Sequence, residues 1–164
     1  MTTLRITRGM LDADNFYLGT EFDGGATFDG SVVIDPGLGV VRFGGSVRVT
    51  GSLCAEAGEG IEAGWDIQAG EGIRAGEGIE AGWDIQAGEG IQAGSGIKAG
   101  SGIRAGLSVT CQQVLSVKLR VLAGTCLWRL PEEHETVVTC GRFDGGVVAF
   151  GTLVETGIEA EAAS

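Results

Sequence analysis

Isoleucine recurs at every sixth residue from Ile61 to Ile103 without a miss, and two places after each stands an alanine followed by a glycine. The unit is I-x-A-G-x-G. Within I-x-A the constant and variable positions alternate, which predicts a three-residue strand with Ile and Ala pointing inward and x pointing out. The G-x-G or G-x-D that follows predicts a bend, because glycine accepts backbone conformations closed to other residues. A helix does not fit this pattern. Two glycines in every six residues would cost about 2 kcal/mol per unit relative to alanine.

The seventeen residues AGEGIEAGWDIQAGEGI at 57–73 reappear word for word at 75–91. The offset of eighteen is three units. A short strand and a bend repeated at fixed length predict a β-solenoid whose coil is a triangle of three units. Counterparts one coil apart then stack about 4.8 Å from each other, so identical side chains form ladders. The expected fold is all-β: a single elongated triangular β-solenoid with about 18 residues per coil and atypical capping ends. Handedness is left open. The beat runs on through Val109, Leu115, Val121 and Leu127, and upstream through Leu4, Met10, Phe16, Phe22, Phe28, Ile34 and Val40. Val47 and Leu53 join the two stretches with one or two extra residues. Three segments follow: an N-terminal cap with irregular hexad coils over 1–46, a regular solenoid over 47–130, and a loop, closing strands and acidic tail over 131–164. Pro131 and the charges of PEEHE mark the loop.

Phe22-Asp23, Phe28-Asp29 and Ile34-Asp35, with Ala26, Val32 and Leu38 four places on, resemble the hexapeptide pattern of left-handed β-helices. Over roughly residues 47–127 the chain also resembles bactofilin-type, polymer-forming β-solenoids. The first resemblance implies a solenoid fold and, in its acyltransferase members, a histidine beside an inter-subunit cleft. The second implies a scaffold assembled by end-to-end stacking. The one histidine here is His134, in the loop.

Composition narrows the classes further. Gly is 31 of 164 residues, far above the usual share of roughly 7%. With only 2 Pro and no period of three, collagen is excluded. The net charge of −11 argues against nucleic acid or an anionic membrane as a direct partner. No segment approaches the roughly 20 apolar residues of a membrane span, and the opening residues hold no apolar core for a signal peptide. The expected setting is soluble and cytoplasmic, with Cys54, Cys111, Cys126 and Cys140 as reduced thiols.

Folding the sequence in eighteens yields three corners. One carries Glu59, Glu77 and Ser95; a second Trp65, Trp83 and Ser101; a third Glu71, Glu89 and Leu107. Asp66 and Asp84 follow the tryptophans, and Glu62 and Glu80 lie between corners. Residues 56–89 hold nine acidic side chains and one basic, Arg74, whereas residues 91–130 hold five basic and none acidic. The candidate binding residues are therefore the acidic rows Glu59, Glu62, Asp66, Glu71, Glu77, Glu80, Asp84 and Glu89, and the aromatic corner Trp65 and Trp83. Tryptophan is enriched in interface hot spots. The expected function is a non-enzymatic rod docking on a protein with a basic surface. Its sharper form is an inhibitor that mimics nucleic acid, of the phage anti-defence kind. The alternatives are a self-assembling scaffold, hence a homo-oligomer, and an acyltransferase-like enzyme using His134. No catalytic set, metal site or cofactor is assigned; Cys111, Cys126, Cys140 and His134 could converge on a metal, but core thiols are the default.

Overall fold

The structure, a computed structural model, describes residues 2–56 and 58–157. It is a parallel β-solenoid of about 7 turns. Among the described residues there is no α-helix, and every ladder between its strands is parallel.

The strands stack into three faces. The first holds β1 (Thr2–Ile6), β3 (Gly30–Ile34), β6 (Leu53–Ala55), β9 (Ile73–Ala75), β12 (Ile91–Ala93), β15 (Val109–Cys111), β17 (Val137–Cys140) and β19 (Thr152–Glu155). The second holds β4 (Val40–Phe43), β7 (Gly60–Ala63), β10 (Ile79–Ala81) and β13 (Ile97–Ala99). The third holds β2 (Thr27–Phe28), β5 (Val47–Val49), β8 (Ile67–Ala69), β11 (Ile85–Ala87) and β14 (Ile103–Ala105). Two long strands, β16 (Val114–Ala123) and β18 (Arg142–Phe150), run round the corner and complete both the second and third faces.

The register bears out the eighteen-residue coil where the repeat is regular. Ile61 pairs with Ile79, Ile79 with Ile97, and Ile97 with Leu115. Every Ile and Ala of the repeat is buried, and the x residues face outward. Each buried Ile contributes about 2 kcal/mol, so the column of stacked isoleucines is the main store of apolar burial in the coils.

Toward the N-terminus the coils are longer. Leu53 pairs with Ile73, twenty residues on, and Val32 with Leu53, twenty-one on. The extra corner residues shift the phase, so the upstream six-residue beat marks the inner positions only in part: Phe22 and Ile34 are buried. Val41, not Val40, stacks on Ile61, and Val40, Phe16 and Met10 are exposed. Residues 7–29 form the rest of an irregular first coil: the Arg42 N–H donates to the Asn15 carbonyl and the Tyr17 N–H to the Arg42 carbonyl, each at 2.8 Å, and β2 pairs with β5. Phe22 sits edge-on to Phe43 at 5.5 Å and beside Tyr17 at 5.9 Å, and these rings pack against the core there.

Downstream the beat also overruns the coil. Leu127 is 99% exposed rather than inward. The chain leaves the solenoid after Ala123 through Gly124, whose φ of +86° suits glycine, and re-enters at β17. Val109 consequently pairs with Val138, twenty-nine residues on.

The repeat's glycines have a different cause from the one the sequence suggests. None between Gly60 and Gly106 has a positive φ. The first glycine of each bend is required because its counterpart one coil earlier crowds it. A Cβ on Gly82, Gly94 or Gly100 would lie within 2.0 Å of the carbonyl oxygen of Gly64, Gly76 or Gly82 respectively. The second glycine is less crowded and varies along the column: Gly78 meets its neighbour at 3.5 Å and Gly72 at 3.4 Å, whereas a Cβ on Gly96 would lie 2.8 Å from the Val114 carbonyl oxygen. That position accordingly accepts Asp66, Asp84 and Ser108 in other units.

Candidate functional site

The corner between the second and third faces carries the tryptophans on successive coils. The Trp83 N–H donates to the Trp65 carbonyl at 3.0 Å, which locks the two backbones in step. Their rings stack 5.6 Å apart at an interplanar angle of 9°. Each remains 55% exposed. The stack thus buries one ring against the other and still leaves an aromatic ridge facing solvent.

Asp66 and Asp84, half-buried beside the ridge, act on the backbone. The Asp84 N–H donates to Asp66 Oδ1 at 3.1 Å, and the Gly102 N–H donates to Asp84 Oδ1 at 2.9 Å. Ser46 opens the same ladder, its hydroxyl oxygen accepting the Asp66 N–H at 3.3 Å. Asp66 also lies 3.5 Å from Arg48. These carboxylates tie coil to coil.

The remaining acidic candidates separate into three groups. Glu62 and Glu80 stack on the second face, but Arg42 lies 3.5 Å from Glu62 at one end and Lys98 3.9 Å from Glu80 at the other. Glu59 does not join an exposed row. It is only 3% exposed, because the longer preceding coil covers it, and one carboxylate oxygen accepts the Gly37 N–H. Glu71, Glu77 and Glu89 are exposed, with no ion pair among the described residues. Glu89 follows Glu71 one coil on, the Glu89 N–H donating to the Glu71 carbonyl at 3.2 Å.

The third face lies between the tryptophan corner and the Glu71/Glu89 corner. Its outward ladder is Arg48, Gln68, Gln86, Arg104. The excursion over residues 124–136 folds back along this face. Leu127 and Trp128 share a depression of about 570 Å³ with Gln68, Gln86 and Arg104. A second, smaller hollow beside the tryptophan corner is lined by Arg48, Asp66, Gln68, Asp84 and Gln86. The face is therefore a trough with a polar floor. Trp65 and Trp83 stand at one corner of this face, and Glu71 and Glu89 at the other, where the two glutamates also line a hollow of about 510 Å³ on the first face with Arg74 and Gln92.

The excursion is built to hold its shape. Arg129 grips Glu135 with two hydrogen bonds, at 2.6 and 2.7 Å. Glu135 also accepts the Glu132 N–H at 2.8 Å, completing a capping box over the short 3₁₀ turn Glu133–Thr136. The Arg129 guanidinium lies 4.7 Å from the Trp128 ring centroid. The hydrogen bond from Arg129 holds the Glu135 carboxyl down at about 2. Leu127, Trp128 and Leu130 stay exposed on this scaffold. Sequence reasoning missed them as a group. The available signal was Trp128 directly after Leu127, a second bulky apolar residue where the I-x-A pattern puts an outward position.

The other chemistry-bearing residues do not assemble. His134 lies on the excursion, 3.4 Å from Glu132. Cys111 and Cys140 are buried in the core, where burial pushes the Cys111 thiol up to about 12. Cys126 is half-buried within the excursion, its thiol donating to the Arg129 carbonyl at 3.1 Å. Among the described residues no three His, Cys, Asp or Glu side chains gather to hold a metal, and no helix is long and apolar enough to cross a membrane.

Comparison with protein-family models, curated proteins and solved structures gives no match. The solenoid rests on the strand register, and a hexapeptide or bactofilin type rests on resemblance alone.

Proposed function

We propose that this protein is a non-enzymatic interaction module whose third face receives a segment of a partner protein. The observation that carries the reading is the Trp65/Trp83 ridge, stacked, rigid and 55% exposed, along a trough whose opposite edge displays Leu127 and Trp128. Aromatic anchors on a rigid frame supply contact area at little entropic cost. The carboxylates Glu71 and Glu89 on the far edge favour basic side chains and speed encounter with a basic surface. The partner segment expected is one that mixes apolar and basic residues.

The nucleic-acid-mimic form receives less support. It needs free carboxylate rows, and five of the eight candidates are buried, ion-paired or bonded to backbone. Affinity capture from the native host, with the Trp65→Ala/Trp83→Ala protein as matched bait, tests the docking reading. A partner retained by the native chain and by a His134→Ala control, and lost by the double variant, is the expected result. An unchanged set of captured proteins would overturn it.

A further inference from the structure

We infer that two copies of this chain pack side by side with their solenoid axes antiparallel, second face against second face, as a closed dimer. The outward ladder of that face has six rungs in order: Arg42, Glu62, Glu80, Lys98, Ser116, Asp144. Over the same coils the first face shows Arg74 among Cys54, Gln92 and Thr110, and the third shows Arg48 and Arg104 around two glutamines. The second face is thus the one that carries both signs of charge. It is also the one whose carboxylates, Glu62 and Glu80, stack on adjacent coils, an arrangement that costs energy unless cations relieve it.

The order of the rungs selects the symmetry. A two-fold axis lying between the faces, parallel to the strands and midway between the Glu80 and Lys98 rungs, reverses the ladder against itself. Glu80 then faces Lys98 of the second copy, Arg42 faces its Asp144, and Glu62 faces its Ser116. No like charges meet. Any other antiparallel overlap of four rungs or more sets at least one like pair face to face, and parallel packing about a two-fold sets every charged rung against itself. Sheets packed face to face lie about 10 Å apart, a gap that Glu and Lys side chains close from opposite sides. Charge complementarity fixes register in this way, and isologous pairing stops at two copies.

The neighbouring outward column fits the same axis. It runs Val40, Gly60, Gly78, Gly96, Val114, Arg142. Its glycines floor a mainly apolar hollow of about 320 Å³ between Val40 and Val114. Reversal sets Val114 of each copy over Gly60 of the other, a branched side chain against bare backbone. Arg142 falls over Val40, beside the Arg42–Asp144 pair. The corners agree as well. Exposed Lys118, which has no ion pair among the described residues, comes to the Glu62 rung, and Glu77 comes to Ser95. Phe16, one rung outside Arg42, lies past Asp144 of the second copy. The third face takes no part, so this dimer stands or falls apart from the docking proposed there.

Sedimentation equilibrium of the full chain over a dilution series tests the inference. The native chain is expected to approach twice 16.8 kDa as concentration rises, and to dissociate more readily in high salt. Glu80→Lys alone and Lys98→Glu alone each set like charges across the axis. Both side chains are more than half exposed, at 52% and 66%, so each variant is expected at the single-chain mass with its strand circular dichroism unchanged. An equimolar mixture of the two restores opposite charges at both crossings of positions 80 and 98, and is expected to return to twice the single-chain mass. If either variant fails to fold, Ser116→Glu takes its place: it sets a carboxylate against Glu62 and is expected at the single-chain mass. A native chain at the single-chain mass at every concentration overturns the inference. Variants that still pair alone, a mixture that stays at the single-chain mass, or growth beyond two copies overturn it too.

Discussion

Trp65 lies directly over Trp83, one coil apart, with their rings 5.6 Å apart and within 9° of parallel. The pairing follows from the eighteen-residue register that also stacks Ile61 on Ile79 and Ile67 on Ile85. An aromatic pair of this kind adds about 0.5–1.5 kcal/mol beyond its area burial. The rings therefore have a structural role as well as the docking role proposed for them, and a measurement must separate the two.

Replacing Trp83 by Ala is expected to lower unfolding stability by about 1 kcal/mol, measured by denaturant titration. The circular dichroism signal of two coupled indoles is expected to vanish. Partner affinity, measured by calorimetry once the partner is in hand, is expected to fall much further, by about 2 kcal/mol or roughly 30-fold. A loss of affinity no larger than the loss of stability would reduce the ridge to a structural stack.

The glycine columns yield a sharper contrast. Gly100→Ala would drive a Cβ to 1.8 Å from the Gly82 carbonyl oxygen, a backbone atom that cannot move without opening the coil. The expected cost is about 3 kcal/mol or more. Gly78→Ala meets ordinary contact at 3.5 Å. It is expected to be neutral, or stabilising by up to about 1 kcal/mol through the unfolded chain. Thermal unfolding of the two variants side by side decides the matter; similar melting temperatures would refute the steric account.

Much of the fold was legible because one face-period governs it. Six residues per strand and bend, repeated with no insertion from Ile61 to Val121, specify the inward positions, the eighteen-residue coil and the tryptophan ladder together. Legibility failed where the coil length changes. Two or three added residues in the early corners moved Val40 outward and Val41 inward, and the signal was the seven-residue step from Val40 to Val47, since Val41 lies six before Val47. Leu127 kept the beat and yet left the coil, because a turn at Gly124 outweighs a single apolar position. The candidate site was half visible. Trp65, Trp83, Glu71 and Glu89 could be placed from spacing alone. Contact between the excursion and the third face joins residues some sixty apart, such as Gln68 and Trp128, and no periodicity encodes it.

Asp84 and Glu89 carry the same charge and are expected to respond differently. Asp84→Ala removes the acceptor of the Gly102 N–H, which should cost about 1 kcal/mol of stability. Asp84→Asn keeps an acceptor and should recover most of it. Glu71→Gln with Glu89→Gln should leave stability within about 0.5 kcal/mol, while slowing association with a basic partner and flattening its salt dependence. Denaturant curves and stopped-flow association rates report the two halves. Equal destabilisation by both pairs would mean that the corner glutamates are structural too.

The excursion should loosen in acid while the solenoid persists. Glu135 titrates at about 2 in the folded chain against 4.5 for an ordinary carboxyl, lowered chiefly by its hydrogen bond with Arg129. A depressed folded value means that the stabilisation is complete above 4.5, declines as the pH falls below it, and is gone below about 2. Trp128 reports the change, since it sits against Arg129. In a Trp65→Phe/Trp83→Phe background its fluorescence anisotropy is expected to drop between pH 4.5 and about 2, with the strand signal intact. Glu135→Gln should give the loosened value already at neutral pH, with little further change on acidification. A pH-independent Trp128 signal in the native-Glu135 protein would show that the excursion is held by packing alone, and not by the Arg129–Glu135 grip.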